Sequence, residues 1–222
     1  MLNRPVSSIK EIIRKHLPIE YVFTREYRTN RFGGKISASG PGSDMAQTAT
    51  VRNILALLVK ELGIKTLLDA PCGDFHWMSN TQLGIENYIG VDIVQDIIKQ
   101  NGRQYGRNGI EFRKLNIVKD GLPKADLILC RDCLVHFCFK DIFVAIRNFK
   151  QSGSTYLLTT TFTSHLDNRD IVTGSWQPLN LQSAPFNFLA PNKLLYENCT
   201  EESGRYQDKC LGLWKLENIN IA

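Results

Sequence analysis

Apolar positions along this chain recur with two periods, and the change of period divides it. Over residues 8–17, Ser8 and Glu11 make a capping-box pattern, Ile9, Ile12, Ile13 and Leu17 form one apolar face, and Pro18 follows, which predicts a short helix. From 24 to 44 the chain turns polar and glycine-rich, with Gly33-Gly34 and Gly40-Pro41-Gly42-Ser43-Asp44, and reads as loop. A loop that long beside a compact domain is either disordered or functional, for example a flap over a ligand. Val51, Ile54, Leu55, Leu58, Val59 and Leu62 then recur at helical spacing, with Gly63 as the stop. Beyond Gly63, short apolar runs alternate with helical segments. Strands are expected at 66–68, 87–91, 110–114, 127–130 and 155–160, and helices near 75–80, 94–100 and 137–149. The tail breaks the alternation with two strands, 193–197 and 210–217, separated by a polar loop and read as an antiparallel pair.

Alternating strands and helices predict an α/β fold: a Rossmann-like, seven-stranded, mostly parallel sheet with an antiparallel C-terminal strand and helices on both faces. The expected division is an N-terminal helix and glycine-rich lid over 1–45 and a core domain over 46–222.

Composition narrows the function classes. With 43% hydrophobic and 22% charged residues in 222, the chain can bury a substantial core. No apolar run approaches the roughly 20 residues of a membrane span, and the charged N-terminus does not read as a secretory signal, so a cytoplasmic location is expected. The net charge of +5 is spread out, without the basic stripe of a nucleic-acid binder. Six cysteines, unevenly spaced, suggest no disulfide framework. Cys130, Cys133 and His136 resemble half a zinc site, but no second pair completes it, and no metal is assigned.

The informative stretch is Leu67-Leu68-Asp69-Ala70-Pro71-Cys72-Gly73-Asp74-Phe75, an apolar strand running into an acid, a tight turn and a helical segment. Ligands of doubly wound sheets sit beyond the carboxyl ends of the strands, where this turn falls. The next strand, Tyr88-Ile89-Gly90-Val91, ends in Asp92, about 20 residues on, the place of an acid that accepts hydrogen bonds from ribose hydroxyls. Both NAD and S-adenosylmethionine present such a ribose. A pyrophosphate needs a G-x-G-x-x-G turn, and here Pro71 and Phe75 replace two of its glycines while Asp69 and Asp74 flank it. Two carboxylates repel a pyrophosphate and suit a sulfonium with an ammonium group, which favours S-adenosylmethionine.

With these motifs in this order, the chain from about Gly63 onward resembles the class I S-adenosylmethionine-dependent methyltransferases. Asp69–Phe75 is similar to that family's first motif, with two glycines missing, and Val91-Asp92-Ile93 to its ribose-binding acidic motif. The resemblance implies that Asn116 and Ile117, after the third strand, contact adenine, and that Arg131 to His136, after the fourth, line the methyl-transfer site. More narrowly, DAPCGDFHWM, CRDCLVHF and the upstream SGPGSDMAQT stretch resemble a subgroup in glycan-building enzymes, including the methyltransferase domains of large algal-virus glycosyltransferases. That implies a sugar O-methyltransferase with a carbohydrate or other small-molecule acceptor, in some cases within a larger glycosyltransferase-containing polypeptide. It also implies a loop around Gly42 and Ser43 closing on the cofactor.

An alcohol acceptor calls for a general base. His136 is the first candidate, with Asp132 to orient it or bind the acceptor; a core histidine would occupy the same place in sequence. His165, after the fifth strand, is the competing base. Trp77, Trp176, Phe186 and Phe188 are candidates to face the acceptor, and the segments 178–181 and 184–187 to wall its site. Methylation of another small molecule, a protein or RNA, and a non-catalytic cofactor-binding module, are the alternatives.

Overall fold

A computed structural model describes residues 14–221. The short helix expected over 8–17 therefore lies mostly outside the described residues. The first helix described in full is α1 (Ile19–Arg28), which begins after Pro18 and runs through the first residues of the expected loop. Its last turn carries Arg25 and Arg28, and its buried side is Val22 and Glu26, so charge density hid a real helix.

The amphipathic helix α2 (Ala49–Leu62) buries Val51, Leu55, Leu58 and Val59 and stops where Gly63 turns left-handed (φ 63°, ψ 34°). Each fully buried side chain of this kind contributes about 1.5–3 kcal/mol. After α2 come β1 (Thr66–Asp69), β2 (Asn87–Asp92), α3 (Gln95–Tyr105), β3 (Ile110–Lys114), β4 (Leu127–Cys130), α4 (Phe139–Gln151), β5 (Tyr156–Phe162), β6 (Lys193–Tyr196) and β7 (Lys209–Lys215). The seven strands form one sheet in the order β3-β2-β1-β4-β5-β7-β6. Pairing is parallel from β3 across to β5, and β7 runs antiparallel between β5 and β6. The expected fold class is the observed one.

Successive side chains of the central strands enter opposite faces, and both faces are covered. Leu67, Leu127, Leu129 and Leu158 pack with α2, while Leu68, Ile128 and Leu157 pack with α4 through Ile142, Ala145, Ile146 and Phe149. No helix among the described residues is long and apolar enough to cross a membrane.

The helix expected over 75–80 does not form. Phe75 takes a positive φ of 59° and sets its ring against Tyr88, Tyr105 and Phe112 at centroid distances of 4.8, 5.0 and 5.1 Å. Only a short 3-10 turn, Met78–Asn80, follows. Of the segments expected to wall an acceptor, Leu179 and Leu181 are fully buried and Phe186 nearly so, while Ala184, Pro185 and Asn187 are exposed.

Candidate functional site

The strand order reverses beside β1, with β2 on one side and β4 on the other, so the crevice beyond their carboxyl ends is where a ligand fits. A pocket opens there. Asp69, Pro71, Cys72, Gly73, Asp92, Ile93, Asn116, Ile117, Arg131, Asp132, His136 and Ser43 all line it. Asp74, Gly42 and His165 do not.

Its β1–β2 wall is acidic. Asp69 is buried, accepts a hydrogen bond from the Tyr88 hydroxyl at 2.6 Å, and is pushed up to about 7 by burial, with the Asp92 charge adding to the effect. Asp92 accepts the backbone N–H of Val94 at 2.8 Å and of Gly73 at 3.2 Å. Burial still pushes it up to about 6, against those two bonds. Neither acid has a cation in salt-bridge range among the described residues.

Gly73 has a positive φ of 51°, and a Cβ there would stand 2.2 Å from Ser39 Oγ, so the turn admits no side chain while Ser39 rests on it. Asp74 holds that arrangement. Its carboxylate accepts the Ala38 N–H at 2.7 Å, the Ser37 hydroxyl at 3.1 Å and the Ser39 hydroxyl at 3.4 Å. Among the sequence candidates for cofactor contact, Asp74 is thus bonded to the loop that crosses the pocket. That loop and α1 supply Ile19, Phe23, Tyr27, Phe32, Ala38 and Ser39 to the lining. Of these six the sequence reading touched only Ser39, as the first residue of the SGPGSDMAQT stretch.

The β4 wall is different. Arg131 Nη2 meets Glu197 Oε2 at 2.7 Å and donates to the Gly42 carbonyl at 3.0 Å, and its guanidinium stands 5.8 Å from the Trp77 ring. Gly42 therefore contributes a carbonyl that seats the arginine. Lys209, from β7, places Nζ 2.7 Å from Asp132 Oδ2 and 3.6 Å from Glu197 Oε2. Burial would raise the Asp132 carboxyl, but Lys209 and Arg131 outweigh it and hold it well below the ordinary range. Lys209 is raised in turn: burial opposes its charge and Asp132 more than compensates. Asp132 adopts a positive φ of 51° and donates its backbone N–H to Thr160 Oγ1 at 2.8 Å. Glu197 and Lys209 went unread in the sequence, being 66 and 78 residues beyond Arg131.

His136 follows on the same wall. Its Nδ1 lies 2.9 Å from the Ser175 carbonyl, and its ring meets Phe32 edge-on at 5.5 Å. A carbonyl only accepts, so Nδ1 carries the proton in the neutral ring and Nε2 is the free base. Burial lowers the imidazole pKa, partly offset by the Ser175 bond. His165 sits outside the lining, its N–H bonded to the Phe162 carbonyl at 3.2 Å. Of the candidate aromatics, Trp77 lines the pocket and Trp176 is 43% exposed.

Solved structures share this architecture. The Burkholderia thailandensis 1,6-didemethyltoxoflavin-N1-methyltransferase, solved with 1,6-didemethyltoxoflavin and S-adenosylhomocysteine, aligns over 96% of this chain and 92% of its own at a TM-score of 0.62 and 14% identity. Human N-acetylserotonin methyltransferase in complex with SAM aligns over 90% of this chain at a TM-score of 0.57 and 15% identity, and this chain spans 60% of its length. The N-methyltransferase NodS from Bradyrhizobium japonicum WM9 aligns over 78% of this chain and 97% of its own, at 0.56 and 13%. The chain has a methyltransferase fold. No protein-family model and no curated protein matches it.

Proposed function

We propose that this protein is an S-adenosylmethionine-dependent methyltransferase that methylates a hydroxyl group, with a sugar as the acceptor. The observation that carries the reading is the asymmetry of the pocket's two walls: an acidic wall lacking cations beside a wall that presents a neutral imidazole. The three structural neighbours, two of them solved with S-adenosylmethionine or its product, support the cofactor. The reading of a sugar hydroxyl rests on the sequence resemblance and on His136, since a hydroxyl, unlike an amine, must lose its proton to be methylated.

The residues suit the cofactor. Asp92 keeps acceptor capacity beyond its two backbone bonds, enough for a ribose diol, and Asp69 is a buried acid without a cation partner. Ile93, Asn116 and Ile117 would flank the adenine, and Cys72 and Gly73 the amino-acid portion. When bound, the cofactor supplies a methyl group already activated on a sulfonium, leaving the protein chiefly to position and to deprotonate. Nε2 of His136 takes the acceptor proton while Nδ1–H stays on the Ser175 carbonyl. The resulting imidazolium is favoured by the charges of Asp132 and Glu26 and opposed by that of Lys209. Because burial lowers the His136 pKa, the base is free at neutral pH, and turnover falls as the pH drops through that lowered value. The segment through Ser37–Ser39, latched by Asp74, acts as the lid that excludes water.

His136→Ala tests this. Calorimetry should show unchanged S-adenosylhomocysteine affinity, while transfer of labelled methyl to an active sugar acceptor falls about 10²–10⁴-fold. Undiminished transfer removes His136 from the base role. Tighter binding of NAD than of S-adenosylhomocysteine overturns the whole reading.

A further inference from the structure

Glu26 is a buried acid on α1 that lies outside the pocket lining. Its carboxylate sits between two arginines, with Arg14 Nη2 3.0 Å from Oε1 and Arg31 Nε 3.2 Å from Oε2. Burying a carboxylate is costly unless cations replace its water, and here two do. Arg31 is exposed, whereas Arg14 is mostly buried and reaches further. Its Nη1 donates to the Gly174 carbonyl at 2.9 Å. A guanidinium is planar and rigid, so a carboxylate that fixes one arm aims the other.

Gly174 belongs to the strap that holds His136. Its N–H donates to the His136 carbonyl at 2.8 Å, and Gln177 N–H donates to the Val135 carbonyl at 3.0 Å. Between those two bonds the Ser175 carbonyl meets His136 Nδ1 at 2.9 Å. Gly174 has a φ of 94°, and a Cβ there would stand 2.5 Å from Val22 Cγ1 on the buried side of α1. The most easily rotated residue of the strap therefore stands directly before the carbonyl that orients the imidazole. The Gly174–Ser175 peptide is tied at both ends, its N–H to the Val172 carbonyl at 2.9 Å and its carbonyl to Arg14. Among the described residues, Arg14 is the one side chain bonded to that carbonyl.

We propose that Glu26 is a positioning residue for the base: it aims Arg14 at the Gly174 carbonyl, and the clamped strap keeps Nδ1 of His136 protonated and Nε2 free. This rests on the base role given to His136 above. Which ring nitrogen carries the proton is set by the hydrogen bond that the other makes. With Gly174 released, the Ser175 carbonyl is free to turn away, and the proton is free to sit on either nitrogen. A ring protonated on Nε2 presents a donor where a base is needed. Helix α1 thus does two things at once. It lends Ile19, Phe23 and Tyr27 to the pocket lining, and through Glu26 it holds the strap behind the imidazole.

The tautomer can be read without any acceptor, from long-range ¹H–¹⁵N spectra of ¹⁵N-histidine protein in the presence of S-adenosylhomocysteine. The chain has four histidines, and His136→Gln assigns the signal. The unaltered protein should show the Nδ1–H form. Arg14→Ala, which leaves Glu26 paired with Arg31, should turn His136 into a mixture that includes the Nε2–H form, and Glu26→Ala should do the same. Glu26→Gln keeps an oxygen for Arg14 and should restore the Nδ1–H form. On an active acceptor, both alanine variants should lower kcat about tenfold at unchanged KM for S-adenosylmethionine. Where Glu26→Ala fails to fold, Arg14→Ala decides. A folded Arg14→Ala protein that keeps the Nδ1–H form overturns the proposal and makes the ion pair a helix anchor, with the base role of His136 left standing. A loss of S-adenosylhomocysteine affinity matching the loss in kcat overturns it as well. Undiminished transfer by His136→Ala removes the base role and the positioning role with it.

Discussion

Asp69 and Asp132 follow or end neighbouring parallel strands and face the same pocket, yet their carboxyl groups are tuned in opposite directions. Asp69 is pushed up to about 7 because burial strips its water, which the Tyr88 hydrogen bond and the charge of Arg131, outside salt-bridge range, offset only in part, and Asp92 beside it goes up to about 6. Asp132 is held well below the ordinary range, because Lys209 and Arg131 outweigh the cost of burial. The β1–β2 wall is left electrostatically unfinished, and the β4 wall is complete in the protein alone. An unfinished acidic wall suits a ligand that brings positive charge with it. A completed wall suits a neutral acceptor that needs a fixed geometry.

The largest effect should come from breaking the completed wall. Lys209→Met leaves Asp132, Glu197 and Glu201 with Arg131 as their one buried counter-charge. Removing one partner of a buried pair costs about 3–5 kcal/mol. Urea unfolding should show that loss as a lower midpoint at unchanged slope. A loss under about 1 kcal/mol would mean that the cluster is solvated, as surface pairs are, and the contrast with Asp69 would disappear.

The two walls were also unequally legible in sequence. The acidic wall is local: Asp69 and Asp92 each end an apolar run, and the Gly73 turn lies between them, so strand periodicity alone located them. The ionic wall is assembled from β4, β7 and the segment after β6, and nothing in the spacing of Arg131, Glu197 and Lys209 foretells their meeting. Helix α1 was hidden for another reason. Its polar residues contact polar groups in three dimensions, as where Glu26 is buried between Arg14 at 3.0 Å and Arg31 at 3.2 Å, so charge in sequence did not mean exposure. The irregular segments 178–181 and 184–187 looked like a loop wall, and their Leu179, Leu181 and Phe186 proved to be core because apolar content outweighed turn chemistry.

Completing the unfinished wall by mutation should have a smaller, two-signed effect. Asp69→Asn keeps an acceptor oxygen for the Tyr88 hydroxyl and removes a buried charge that lacks a partner. The free protein should gain stability above about pH 7, while S-adenosylhomocysteine affinity falls about 10- to 100-fold, the ~1.5–3 kcal/mol of a charge-assisted hydrogen bond. Thermal unfolding with and without the ligand reads both signs in one experiment. Loss of stability in the free variant would show that Asp69 is already satisfied and would cancel the contrast.

The smallest expected effect is a proton count, and it separates the walls without any mutation. For Asp69 and Asp92 the folded-state values lie above the unfolded ones. Their contribution to stability is therefore fully present below about pH 3.9 and is lost as the pH rises through about 6 for Asp92 and about 7 for Asp69. Asp132 has the reverse sign: its contribution is present above the ordinary carboxylate range and disappears only in strong acid. A ligand whose ammonium and ribose hydroxyls favour the charged forms must drive protons off Asp69 and Asp92. Calorimetry in buffers of different ionisation heat should show proton release near pH 6, fading by about pH 8, with affinity weakening as the pH falls across that span. Because Asp132 stays ionised throughout, it contributes none of the release, and Asp69→Asn should remove the part that persists closest to pH 7. Binding without proton release at any pH in that range would mean that both acids are ionised before the ligand arrives, and the two walls would then be electrostatically alike.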